Sequence, residues 1–207
     1  MTDLDGLSLL PLGLIVLAYC LGSISTAILV CRTLGLPDPR TLGSNNPGAT
    51  NVMRIGGKKA AALTLFGDAL KGVIPVLLAY QLGLPEKQIG WVGLAAVIGH
   101  LFPIFFGFQG GKGVATTLGV VHAWHWPTGL MIDLIWLIFA KVFRISSAAA
   151  LVALVSLPFI LAAWQTDYWL AALIISVLSL YRHKENIQKL ISGEESAIGD
   201  RVNAADK

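Results

Sequence analysis

A chain of 207 residues that is 55% hydrophobic and only 13% charged, with a mean hydropathy of +0.71, is too apolar for a soluble domain of this size. Its length fits one domain or one compact bundle, and its class is integral membrane protein. The formal charge of +3 is small, no nucleic-acid partner is expected, and where the charges stand matters more than their sum.

Residues 1–6 carry two acids and no Lys or Arg. Without a positive n-region the first apolar stretch is expected to be retained as an anchor rather than cleaved. That stretch, residues 7–31, is charge-free and long enough at about 1.5 Å per residue to cross a hydrocarbon core of roughly 30 Å. It holds both cysteines, Cys20 and Cys31, which stand roughly 16 Å apart if the run is one helix, so no disulfide framework or thiol metal site is implied. Residues 32–59 read as a long polar loop rich in Gly, Pro and Asn. Residues 60–84 form a second span whose only charges, Asp68 and Lys71, share a helix face and can meet. After a short turn, residues 90–106 make a third span containing His100 and Pro103, and a glycine-rich loop follows at 107–113. Residues 113–140 are ambiguous, because Trp126-Pro127 interrupts a mostly apolar stretch whose only charge is Asp133. They form one kinked span or two short ones. The last spans are expected at 145–164 and 168–181, with a tail from Arg182 onward.

Positive charge decides the count, since Lys and Arg near span ends collect on the cytoplasmic side. Two short spans make the total seven and put thirteen Lys and Arg on one side against Lys87 alone on the other; one span makes the split six against eight. The expected fold is therefore an all-α integral membrane protein of seven transmembrane helices, with the N-terminus outside and the C-terminus cytoplasmic. Both glycine-rich loops and the tail then share the cytoplasmic face and can build one site. Spans of about 14 residues reach only ~21 Å, so the fourth and the seventh are expected to be short or tilted.

In the first loop Gly43, Gly48, Asn45, Asn46 and Asn51 permit positive φ, while Ser44 and Thr50 offer hydroxyls and Arg54 adds charge. Such a cluster can hold a phosphate or carboxylate, or serve only as a connector. The second loop, with Gly110, Gly111, Lys112 and Gly113, has the logic of a phosphate loop without its full pattern, since Gly113 stands where Ser or Thr is needed. Nucleotide hydrolysis is not supported, although amides at the start of the helix begun by Val114 can still face an anion. In the tail His183 and Asn186 share a helix face and can reach one ligand; the alternative is a basic cap for lipid headgroups. His100 is a ligand or base, or a histidine satisfied by packing, and its place near the second loop favours function. Asp68 and Lys71 fit better as a structural pair than as catalytic groups. His122 and His125, with Trp124 and Trp126, are expected as an aromatic belt at the outer interface. No metal-ligand spacing, Ser-His-Asp order or HxxxxD acyltransferase motif is present, so a covalent mechanism has no obvious nucleophile.

Five motifs in order, GSNNPGATNVMR at 43–54, DALKG at 68–72, GHLFP at 99–103, FQGGKGVAT at 108–116 and RHKENIQKLISGEE at 182–195, resemble the bacterial acyl-phosphate:glycerol-3-phosphate acyltransferases. The resemblance covers residues 22–195. It implies seven spans, a cytoplasmic-facing site in the bacterial inner membrane, and transfer of a fatty acyl group from acyl phosphate to the primary hydroxyl of glycerol 3-phosphate. The products would be lysophosphatidic acid, the first step of phospholipid synthesis, and inorganic phosphate. By motif position Ser44, Arg54, Lys112, His183 and Asn186 are the expected catalytic set. Asn45, Gly48, Ala49, Thr50, Asn51, Gly110, Gly111, Gly113, Thr116, His100 and Glu195 are the expected substrate-binding set. The family's first motif has glycine where Asn45 stands here, and Asn tolerates the left-handed conformation. No cofactor or metal is implied. The partners implied are the two substrates and membrane lipid, and the chain is expected to act as a monomer. Residues 1–195 are expected to form one transmembrane catalytic domain and 196–207 a polar tail. Two rival classes are a transporter, which the lack of paired broken helices or internal symmetry disfavours, and a lipid-binding scaffold, whose binding would weaken generally with salt.

Overall fold

The computed structural model describes residues 9–198, so the reading of 1–6, the charges Arg201 and Lys207 and most of the 196–207 tail lie outside the described residues. Within them the chain is helical: α1 (Leu9–Gly22), α2 (Thr26–Thr33), α3 (Ala49–Gln81), α4 (Glu86–Leu101), α5 (Val114–Trp124), α6 (Trp126–Phe143), α7 (Ser146–Ala163), α8 (Trp169–Arg182) and α9 (Lys184–Ser192), with a 3-10 turn at Ile104–Phe106. Five segments are long and apolar enough to cross a membrane: Leu9–Thr33, Ala49–Gln81, Glu86–Phe106, Trp126–Phe143 and Ser146–Ala163. Val114–Trp124 and Trp169–Arg182 are shorter apolar helices.

Two expectations need correction. The first apolar run is not one continuous helix but breaks between α1 and α2. Gly22 lies against α4 so closely that a Cβ there would stand 2.0 Å from the Ala96 carbonyl oxygen, and a Cβ on Gly99 of α4 would meet Tyr19 O at 2.2 Å. Close approach of this kind is how membrane helices pack without a hydrophobic drive between them. A Gly-Ser pair at Gly22 and Ser23 is a recurrent kink point, and the Ile24 carbonyl accepts a bond from Lys71 Nζ at 2.8 Å. The second correction concerns the first polar loop, whose latter half is helix. Gly48 caps α3, and Gly57, at φ 79° and ψ −173°, separates a short leading helix from the long apolar one. Only glycine takes that conformation without strain.

The ambiguous stretch resolves into two helices. His125 is extended at φ −153°, and Pro127 sits in the first turn of α6, where its missing N–H costs nothing. α5 has about 16 Å of length and is packed between α3, α4 and α6. Its contact with α3 again uses glycine, since a Cβ on Gly119 would lie 2.1 Å from Ala69 O and one on Gly72 would lie 2.4 Å from Thr116 O. α4 is the central helix, with Ile89, Val92, Ala96, Val97 and Leu101 fully buried. The bundle's outside is apolar, as Phe66, Leu134 and Phe159 illustrate. At the end away from the glycine-rich loops, Trp124 stacks on Tyr168 with centroids 5.2 Å apart, and the Tyr80 and Tyr168 hydroxyls bond to each other.

Candidate active site

The first loop folds around Asn51. Its amide donates to the carbonyls of Pro39 and Leu42, both at 2.9 Å, and its oxygen accepts the Ser44 N–H at 3.0 Å. Three of its hydrogen-bonding positions are thus engaged by its own loop. Gly43 and Asn45 flank Ser44 at φ 69° and 53°, so the chain reverses on both sides of that hydroxyl. Arg40 grips Asp38, with Nη2 to Oδ2 at 2.7 Å, and holds the Asp38 carboxyl below its usual range. The same guanidinium donates to Phe106 O at 3.4 Å, drawing the first loop towards the second.

The second loop is held from below and from the side. Gly111 N donates to His100 O at 3.2 Å. Arg182 donates to Gly110 O at 2.6 Å through Nη2 and to Gly111 O at 3.2 Å through Nε. A Cβ on Gly110 would stand 2.1 Å from His100 O, and one on Gly111 would stand 2.3 Å from His100 Nε2. Nothing larger than glycine fits either place without movement. Gly113, at φ 88°, starts α5. Beneath the loop lies a buried network in which Asp68 Oδ1 is 2.8 Å from Lys71 Nζ and 3.6 Å from His100 Nδ1.

Lys112 meets the tail. Its ammonium donates to Asn186 Oδ1; Asn186 Nδ2 donates to Glu195 Oε1 at 2.6 Å, and the same oxygen accepts Ser147 Oγ at 2.7 Å. Burial pushes the Lys112 pKa down to about 8, while Glu195 and Glu185 pull it up. His183 ends α8 and is 2% exposed, with Nδ1 2.8 Å from Ser179 O. A carbonyl can only accept, so Nδ1 carries the proton and Nε2 is left as an acceptor. Burial pushes the His183 pKa down to about 4, so the ring is neutral.

These parts enclose a cavity of about 350 Å³. Ser44, Arg54, Lys112, His183 and Asn186 line it with polar groups. Its apolar flank is formed by Leu65, Leu118, Trp136, Leu137 and Ala150. Arg54 Nε is buried and without a hydrogen-bond partner among the described residues. A buried guanidinium N–H without an acceptor is costly, and an anion in the cavity would supply one.

The structure brings most of the predicted residues together. Besides those just named, Gly48, Ala49, Thr50, Asn51, Gly113 and Glu195 line the cavity, as do His100 and Asp68. Thr50 Oγ1 lies 3.1 Å from Ser146 Oγ across the opening. Four predicted contact residues lie elsewhere. Asn45 is exposed on the loop's outer side, Gly110 and Gly111 stand behind the cavity wall, and Thr116 is fully buried against α3. Their work is to shape the loop and the helix contact. His122 has a partner that the sequence reading did not give it: its Nε2 faces Asp133 Oδ2 at 3.2 Å.

Residues 12–193 match the family model of glycerol-3-phosphate acyltransferase. The chain belongs to that family. It is 53% identical over 188 residues to the glycerol-3-phosphate acyltransferase of Methylococcus capsulatus, covering 90% of this chain and 95% of that one. It is 54% identical over 193 residues to the same enzyme of Burkholderia multivorans, covering 91% of each. Crystal structures of PlsY, an integral membrane glycerol 3-phosphate acyltransferase, are similar at 42% identity. The glycerol 3-phosphate form has a TM-score of 0.87, covering 91% of this chain and 96% of that one. The lysophosphatidic acid form has a TM-score of 0.84, covering 91% and 95%.

Residues outside the expected catalytic and substrate-binding sets also stand at or support the cavity. Asn46 and Ser196 line the cavity, Ser147 anchors Glu195, and Arg182 holds two loop carbonyls. Arg182 had a signal in retrospect. A glycine-rich loop packed on a helix end leaves carbonyls that need donors, and a guanidinium beside His183 can supply two at once.

Proposed function

We propose that this acyltransferase transfers a fatty acyl group from acyl phosphate to the primary hydroxyl of glycerol 3-phosphate, releasing inorganic phosphate and forming lysophosphatidic acid. The observation that carries the proposal is one cavity lined both by two cations, Arg54 and Lys112, and by apolar side chains such as Leu65, Leu118, Trp136 and Leu137. That pairing suits a donor with a phosphate head and a fatty chain. The forms named for PlsY, glycerol 3-phosphate and lysophosphatidic acid, support the acceptor and product.

Acyl phosphate is already activated, so the protein's task is to place two anions together and stabilise charge on the attacked carbonyl and the departing phosphate. Arg54, Lys112 and the Ser44 hydroxyl hold the phosphate groups. Asn186 orients Lys112, and Glu195 fixes Asn186. Neutral His183 accepts a hydrogen bond at Nε2 from the attacking hydroxyl. The hydroxyl oxygen bonds to the acyl carbon, the bond from that carbon to the bridging oxygen breaks, and phosphate leaves with the electron pair. A ring with a pKa of about 4 does not keep the hydroxyl's proton, whereas phosphate, with a second pKa near 6, does. The transfer is direct and assisted by the substrate's own phosphate.

We further infer that all seven apolar segments cross the bilayer, the two short ones inside the bundle, with the site facing the cytoplasm of a bacterium. The loops that build the site carry Arg40, Arg54 and Lys112, and the opposite turn carries Lys87, which fits the positive-inside pattern. Oxygen labelling tests the chemistry. With ¹⁸O in the glycerol 3-phosphate hydroxyl, the label should appear in the ester of lysophosphatidic acid and not in the released phosphate. An acyl-protein intermediate trapped by rapid quench would contradict direct transfer.

A further inference from the structure

We infer that the His122–Asp133 pair closes the apolar arm of the cavity and sets the length of acyl chain the enzyme accepts, an inference that rests on the acyl-donor reading above. Asp133 lies midway along α6, inside an apolar helix, and lines the same cavity as Lys112. Its side chain is 37% exposed and faces His122 Nε2 at 3.2 Å. An ionisable side chain in a membrane helix is expensive and rarely placed without a use. The proposed chemistry at the polar end does not need this one.

The surroundings give it a position relative to a bound chain. α5 leaves the second loop at Val114, and His122 is eight residues further on, about 12 Å along the axis. Between them Leu118 lines the cavity from α5, while Trp136 and Leu137, one turn along α6 from Asp133, line it from the other side. The apolar walls therefore run from the phosphate end to the pair and meet a polar stop. The stop is built, not incidental. His122 Nδ1 lies 2.9 Å from Leu118 O, and the ring rests so closely on Gly129 that a Cβ there would be 2.7 Å from His122 Cγ. With Nδ1 donating to that carbonyl, the contact with Asp133 needs a proton between Nε2 and the carboxyl oxygen. The pair therefore presents a strongly polar surface in either arrangement.

Methylenes up to Leu118 and Trp136 gain apolar contact, and those beyond them meet the pair instead. Each methylene deprived of apolar contact weakens binding by about fourfold. The competing path is lateral escape of the chain into lipid between Leu65 and Leu137, which are 50% and 58% exposed. A chain leaving that way would not sense the pair.

The test measures kcat/KM for lauroyl, myristoyl, palmitoyl and stearoyl phosphate with the full-length protein in lipid nanodiscs. Wild type is compared with Asp133→Asn, which keeps shape and polarity, and with Asp133→Leu combined with His122→Leu, which makes the stop apolar. The readout is the ratio of long-chain to short-chain kcat/KM. The double variant should raise it by about fourfold per methylene beyond the cut-off, and Asp133→Asn should leave the cut-off where it is. An unchanged ratio in the double variant overturns the inference, as does an equal change in Asp133→Asn, which would mark a merely structural role. Should the double variant not fold, Asp133→Ala is read by the same ratio. Turnover by wild type with an unmoved ratio sinks this inference alone, whereas no turnover of any acyl phosphate by wild type sinks the acyl-donor reading with it.

Discussion

Lys112 should impose an alkaline limb on activity, and Glu195 should set where that limb falls. Burial leaves the ammonium with a pKa of about 8, and Glu195, linked to it through Asn186, is the largest influence holding it up. Because the charged form grips the anionic substrates, kcat/KM should be full below that pKa and fall as pH rises through it. Replacing Glu195 by Gln keeps an oxygen for Asn186 and Ser147 but removes the charge. An opposite charge within ~4–6 Å contributes roughly 1–3 pKa units, and with an amide interposed the loss should be about one. The limb in Glu195→Gln should therefore move about one pH unit towards acid, with activity near pH 6.5 much less affected than activity at pH 8. Lys112→Arg should remove the limb, since a guanidinium stays charged, at a cost in rate from its different shape. Substrate phosphates titrate near pH 6, so any acid limb should be common to all variants. Phosphate release corrected for uncatalysed hydrolysis supplies the data. An unmoved limb in Glu195→Gln, or an unchanged one in Lys112→Arg, would refute the assignment.

Gly111→Ala should lower kcat/KM by about 10–100-fold, since its new methyl would stand 2.3 Å from His100 Nε2; adding His100→Ala vacates that space and should recover part of the loss, measured by the same assay. Lys71→Met strands the buried Asp68 carboxylate and should destabilise the fold by about 3–5 kcal/mol, seen in thermal unfolding in detergent. Joining it with Asp68→Asn should restore most of that stability, and equal loss in single and double variants would exclude the ion pair as the cause. Arg182→Lys replaces a two-pronged grip on Gly110 and Gly111 with a point charge. Its KM for acyl phosphate should rise more than its kcat falls.

The apolar runs marked out most helices because bilayer length and hydropathy act on whole segments, and those averages survive in a sequence. The break after Gly22 was harder to see, since it depends on how closely Ala96 of another helix approaches. The helix from Ala49 was hidden for a related reason: its glycines and charges read as loop, and it is organised by Asn51 bonding back to Pro39 and Leu42. Candidate site residues that line the cavity were legible where their chemistry is unusual for a membrane protein, as with Arg54, Lys112 and His183. The division of labour among them was not. Asn51 and Asn45 are alike in sequence terms, yet one is buried and bonded through its amide while the other is exposed and serves the backbone turn. His122 and Asp133 stand eleven residues apart with a helix break between them, and only the packing of α5 on α6 makes them a pair.

The most direct measurement is inorganic phosphate release by the purified protein given palmitoyl phosphate, with and without glycerol 3-phosphate. Release that requires the acceptor and is matched mole for mole by lysophosphatidic acid is the predicted result. Release indifferent to glycerol 3-phosphate, or none from a folded sample across several detergents and lipids, would contradict the account and point to another donor.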